Sequence, residues 1–135
     1  IWLKGVELSA ERAYKNAGIQ PEDVSFAEIH DAFSIISALS LEASGFAEPG
    51  KALHVARDGF FNIDGKLPIA TMGGLKGRGH PVGATGVYQV VEAVLQLRGR
   101  APDGLQVRNP VYGMTQNIGG SGATVVTSIL KLLEK

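Results

Sequence analysis

Gly73-Gly74-Leu75-Lys76-Gly77-Arg78-Gly79-His80-Pro81-Val82-Gly83-Ala84-Thr85-Gly86 is the stretch on which the reading of this chain turns. Six glycines and a proline surround one histidine, and an amphipathic pattern begins directly after it. Glycine accepts positive φ and lets backbone or ligand approach closely, which a merely connective loop rarely needs so often. Ahead of a helix, such a loop can aim N–H groups and the helix dipole at negative charge. A histidine there titrates near neutrality and can move protons. The loop alone allows two readings, a functional site or a tight turn around a structural histidine.

Downstream, Val87, Val90, Val91, Val94 and Leu95 fall at helical spacing and predict a core stripe, with Gln89, Glu92 and Gln96 facing outward and Gly99 as the stop. Upstream, Leu67-Pro68-Ile69-Ala70 is a short apolar run leading into the loop. A first helix is expected over residues 3–17, with Val6, Ala10, Ala13 and Ala17 inward and Gly18 ending it. Residues 24–29 alternate like a half-buried strand, and residues 33–44 read as a largely buried helix closed by Gly45. Residues 46–66 are polar and turn-rich, with a short helix near 50–57 that carries His54 as a solvated surface histidine. Two closing strands, at about 107–116 and 122–132, flank a hairpin turn at Asn117-Ile118-Gly119-Gly120-Ser121. The second is β-branched and apolar on both faces, which suits a buried central strand. The alternation of elements is that of a layered α/β domain.

The 135 residues make one domain, 44% hydrophobic and 19% charged, and 13 basic residues balance 13 acidic ones. Bulk electrostatics therefore point to neither a nucleic acid nor a membrane surface. No signal peptide and no apolar run of membrane-spanning length is visible, and a cytoplasmic location is expected. Cysteine is absent, which excludes disulfides, thiolate zinc sites and a thiol nucleophile within these residues. The chain opens at Ile1 inside a helical pattern, and reads as cut from something longer.

Three segments place capable polar groups after a strand or at a glycine turn: His30-Asp31-Ala32-Phe33, His80 in its loop, and Asn117-Ile118-Gly119-Gly120. Sites in open α/β sheets collect at the carboxyl ends of strands. A Walker loop is excluded, because His80-Pro81 follows Gly79 where Lys and Ser or Thr are required. The Rossmann glycine spacing also fails, and His30, His54 and His80 lack metal-ligand spacing, so no metal is expected.

Together these residues resemble the C-terminal domain of thiolases. Gly79-His80-Pro81 precedes a helix, a strand–glycine turn–strand follows about 35 residues later, and His30-Asp31-Ala32-Phe33 stands where most thiolases carry an Asn-Glu-x-Phe type motif. A histidine at that place is similar to sterol-carrier-protein-type and archaeal acetyl-CoA acetyltransferase-like members. The resemblance covers essentially the whole of residues 1–135. It implies a layered α/β/α domain with a mixed sheet, lacking the first strand and the N-terminal partner domain.

It also implies roles. His80 matches the histidine that activates the nucleophilic cysteine and donates to the thioester oxygen, and His30 matches the second contributor to that oxyanion hole. The Gly119 N–H matches a donor to the acyl-enzyme carbonyl, Asn117 stands at the place of an acid/base cysteine, and Phe33 matches a residue of the pantetheine channel. Two departures follow. The family's proton-shuttling cysteine would stand at Asn117 or Ala32, and neither can take a proton at neutral pH. The nucleophile would belong to the N-terminal half, from the same precursor or a separate chain.

Three readings result. The first is a thiolase-type acyltransferase on (aceto)acetyl-CoA or 3-ketoacyl-CoA, active only in a complete assembly and inactive as the isolated chain. The second is a thiolase-like retro-aldolase on a β-hydroxyacyl-CoA, with His30 or Tyr112 carrying protons. The third is a non-catalytic acyl-CoA-binding or scaffold subunit. In each, the coenzyme A thioester is the ligand and no further cofactor is expected. The resemblance also implies a homo-oligomer and a small zinc-bearing acyl-CoA-binding partner.

Overall fold

The computed structural model describes residues 1–133. Its first element, α1, runs over Lys4–Ala17 and ends at Gly18, whose φ of 69° gives the left-handed C-cap expected of that glycine. A 3-10 turn at Pro21–Asp23 leads into strand β1 (Phe26–Glu28). Helix α2 follows at Ser34–Ala43, α3 at Ala52–Arg57, the short α4 at Gly74–Arg78 and α5 at Thr85–Leu97. Strands β2 (Tyr112–Gly119) and β3 (Thr124–Lys131) close the order.

The sheet order is β1-β2-β3, with β1 parallel to β2 and β2 antiparallel to β3. The run at 67–70 contributes a single parallel bridge, Ile69 to Ala27. Alternation along the strands separates two cores. Ala27, Ile29 and Met114 join Ala10, Tyr14 and Leu41 on the side of α1 and α2, while Phe26 joins Ala93 and Leu97 of α5 on the other. The result is an α/β/α layering around a mixed sheet, as the resemblance implied. Gly113 is required by close approach, because the ring of Phe26 occupies the space a Cβ there would fill.

Several expectations need correction. β1 is buried along its whole length rather than on one face, since helices cover both sides of it. α2 is buried only in its second half, and its first turn leaves Ile35 exposed. β3 is an edge strand with no buried residue, not a buried central one; its β-branched residues reflect strand propensity rather than two covered faces. Asn117, Ile118 and Gly119 belong to β2, so the turn begins at Gly120 (φ 59°).

The largest correction concerns α5, whose faces are inverted. Gln89 and Gln96 are 1% and 0% exposed, whereas Val87 and Val91 are 65% and 49% exposed. The glutamines lie inward because they bond to main chain. Gln96 Nε2 donates to the Leu105 carbonyl and Gln96 Oε1 accepts from the Val107 N–H, which ties the following loop to the helix.

Candidate active site

His30 leaves the carboxyl end of β1, and His80 lies in the loop between α4 and α5. Fifty residues apart in sequence, their rings meet edge to face, with centroids 5.0 Å apart and planes at 89°. The fold therefore joins two of the three segments singled out by sequence.

Each ring is held differently. His80 is exposed, and its Nδ1 lies 2.6 Å from the hydroxyl of Thr85, the buried first residue of α5. That turn is closed by the Ala84 and Thr85 N–H groups, which donate to the Pro81 carbonyl at 2.8 and 3.0 Å. Proline thus sets the turn, the turn sets Thr85, and Thr85 occupies Nδ1, leaving Nε2 as the ring nitrogen free for chemistry. His30 is buried, and its Nδ1 is sealed from solvent without a hydrogen-bond partner. Burial first, and the neighbouring His80 second, push its pKa below the ordinary value, with Asp31 opposing. Burial thus favours its neutral form.

Asp31, to which sequence reading assigned no role, ties the two motifs together. Its Oδ1 accepts the Leu75 N–H at 2.7 Å, and a Cβ on Gly74 would fall 2.5 Å from its Oδ2. Gly74 (φ 57°) is therefore needed both for its backbone conformation and for the space the carboxylate fills. The readable signal was an acid beside His30 and a Gly-Gly pair able to admit it.

A second buried network lies under α5. Gln89 Nε2 donates to the carbonyls of Glu28 (3.1 Å) and Gln116 (2.8 Å), and Asn117 Nδ2 donates to Gln89 Oε1 (3.0 Å). The side chain of Glu28 accepts the N–H and hydroxyl of Thr71, both at 3.1 Å. Burial and the nearby Glu92 raise its pKa to about 7, against the pull of Thr71 and Arg78. Arg78 grips Glu92 through Nε at 2.6 Å and Nη2 at 3.2 Å.

A cleft of about 520 Å³ opens beside His30, lined by Trp2, Val6, Phe33, Ile118 and Gly120 among others. Phe33 lines it and is 69% exposed. Asn117 and Gly119 flank the cleft without lining it; Gly119 pairs with Thr124 at the hairpin end. An open groove of about 650 Å³ near Tyr14 and Glu42 contains none of the motif residues.

Two sequence candidates lie elsewhere. His54 is exposed on α3, as expected. Tyr112 begins β2, five residues and roughly 16 Å along the strand from Asn117, with Lys131 over its ring. That placement removes Tyr112 as a proton carrier for this site. Among the described residues no group of His, Cys, Asp or Glu is placed to hold a metal, and no helix is long and apolar enough to cross a membrane.

This combination of layered fold and paired histidines defines a thiolase-like C-terminal domain. The family described as Thiolase C-terminal domain-like matches residues 1–132, and the chain belongs to it. It is 46% identical to an acetyl-CoA acetyltransferase of Methanothermobacter thermautotrophicus over 90% of its own length and 31% of that protein's. It is 40% identical to sterol carrier protein 2 of Gallus gallus over 88% of its length and 22% of that protein's. Among solved structures, the Ltp2-ChsH2(DUF35) aldolase aligns with a TM-score of 0.82 at 28% identity, covering 93% of this chain and 31% of that one. The chain thus spans about a third or less of the length of the relatives it matches.

Proposed function

We propose that these residues form the C-terminal part of a thiolase-type acyltransferase acting on coenzyme A thioesters. The observation that carries the reading is the His30–His80 pair, with His80 held through Nδ1 so that Nε2 is available. In this reading a cysteine of the N-terminal half gives its thiol proton to His80 Nε2, and the thiolate attacks the thioester carbonyl carbon. The C–S bond to coenzyme A breaks, the departing thiolate takes the proton from His80, and an acyl-cysteine remains. His30 and the Gly119 N–H help to stabilise the negative oxygen of the tetrahedral intermediates. Condensation follows when a second acetyl-CoA gives its α-proton to a base of the complete protein, its α-carbon attacks the acyl carbon, and the C–S bond breaks to release the cysteine thiolate, which regains a proton.

A second reading has its own support. Asn117 cannot accept the α-proton, and the aldolase named above shares the fold, so retro-aldol cleavage of a β-hydroxyacyl-CoA is the alternative. A scaffold role is disfavoured, because a binding-only descendant has little use for two histidines held 5.0 Å apart.

The valine face of α5 and the free edge of β3 support an N-terminal half that covers them, in the same chain or in a partner. A homo-oligomer and a small zinc-bearing acyl-CoA-binding partner belong to this reading by family likeness, and a cytoplasmic location is proposed with it.

The test is acylation of the complete protein by acetyl-CoA, followed by intact-mass spectrometry. An acetyl adduct on wild type, with a rate lowered about 10²–10⁴-fold in His80→Ala, is expected. Carbon–carbon cleavage without an adduct favours the aldol reading, and unchanged acylation in His80→Ala removes His80 from the mechanism.

A further inference from the structure

The Gln89–Asn117 contact fixes the direction of two amides. Gln89 Nε2 faces two backbone carbonyls, at Glu28 and Gln116, and carbonyls only accept. The nitrogen end of Gln89 is thereby assigned by its partners, and its Oε1 must be the end that meets Asn117. Only an N–H satisfies that oxygen at 3.0 Å, so Asn117 Nδ2 is assigned in turn. Turning either amide over would set oxygen against oxygen. The nitrogen of Asn117 is also its packed end, since it meets Gln89 on one side and lies 3.3 Å from where a Cβ on Gly86 would stand.

Asn117 Oδ1 is consequently directed away from Gln89. No protein donor reaches it among the described residues, yet it is not one of the polar atoms sealed from solvent without a partner. The Asn117 side chain lies one residue along α5 from the histidine corner, for its nitrogen end packs at Gly86, which follows Thr85, whose hydroxyl holds His80. A fixed carbonyl acceptor thus stands where the family likeness calls for a proton-carrying thiol. It attracts an O–H group and repels another acceptor, such as a ketone oxygen.

We propose that Asn117, locked by Gln89, accepts a hydrogen bond from the substrate and selects a 3-hydroxyacyl thioester over its 3-oxoacyl counterpart. Asn117 is the specificity determinant, and Gln89 is a positioning residue that acts through it. The proposal rests on the reading of this chain as part of an enzyme of coenzyme A thioesters, and within that reading it favours the aldol branch.

The test is calorimetric binding to the complete protein. The ligands are the dethia analogues of 3-hydroxybutyryl-CoA, acetoacetyl-CoA and butyryl-CoA, which cannot be cleaved at the thioester. On wild type, the hydroxy ligand binds about three- to tenfold more tightly than butyryl, and the oxo ligand binds no more tightly than butyryl. Asn117→Ala removes the hydroxyl preference and leaves butyryl affinity within about twofold. Gln89→Leu, by freeing Asn117 to turn, also removes the preference. Equal wild-type affinity for the hydroxy and butyryl ligands overturns the proposal without any variant having to fold. Tighter binding of the oxo ligand overturns it while leaving the thioester reading intact. Failure of all three ligands to bind overturns both.

Discussion

Two glycines three residues apart in α4 should respond oppositely to the same added methyl group. In Gly74→Ala the new Cβ stands 2.5 and 2.7 Å from the Asp31 carboxylate oxygens and 2.8 Å from the Ala70 Cβ, at a φ of 57°. The left-handed backbone costs alanine about 1 kcal/mol. The carboxylate must withdraw, which breaks its 2.7 Å bond from the Leu75 N–H in a buried setting. A hydrogen bond to a charged group contributes roughly 1.5–3 kcal/mol, so the total loss is about 2.5–4 kcal/mol. Gly77→Ala meets nothing within 4 Å and has no positive φ, so it should be neutral or stabilising by up to about 1 kcal/mol. Urea unfolding of the complete protein, monitored by circular dichroism, measures both. Because Asp31 follows His30 directly, Gly74→Ala should also depress turnover where Gly77→Ala does not. Comparable losses for the two variants, or a Gly74→Ala loss under about 0.5 kcal/mol, would refute the role given to the Asp31 tie.

Other outcomes follow from the buried charges and the open faces. Glu28 holds its proton more tightly when folded, with a pKa of about 7 against an ordinary value of about 4.3, so its contribution is full below the ordinary value and is lost as pH rises through about 7. Glu28→Gln should flatten that descent in a stability–pH profile; a slope unchanged by the variant would assign it elsewhere. His30 works in the opposite sense. Its folded pKa is depressed, so the stability it contributes is present above about 6.5 and is lost as pH falls from there, and His30→Gln should remove that acid-side loss from the same profile. Arg78→Ala strands the buried Glu92 beside Glu28 and should cost about 2–4 kcal/mol in urea unfolding, with Glu92→Gln in the same background recovering part of it. Expressed alone, the chain should self-associate through the α5 valines and the β3 edge; a stable monomer in sedimentation would contradict that.

The site was legible as motifs but not as a mechanism. His30 and His80 stand out because each sits where a strand or a glycine turn exposes functional groups. Their meeting at 5.0 Å depends on how β1 and the glycine loop pack, which no local pattern encodes. Asp31, Thr85 and Gln89 escaped notice for a common reason. Their work is to bond partners 44, 5 and 61 residues away, and such partners become visible only when the chain is folded.

Local chemistry determined the elements. Gly18 stops α1 through its own φ, Pro81 starts the turn before α5, and the β-branched run at 124–131 forms a strand. What tertiary structure alone decided was which side of each element is the inside. The period of α5 separates Val87 and Val91 from Gln89 and Gln96, but a period has no sign. The glutamines lie inward because main-chain carbonyls wait there, and the valines lie outward because nothing among the described residues covers them. β3 likewise has the composition of a central strand and the position of an edge. Apolar side chains report that a surface is to be buried; they do not report by which neighbour.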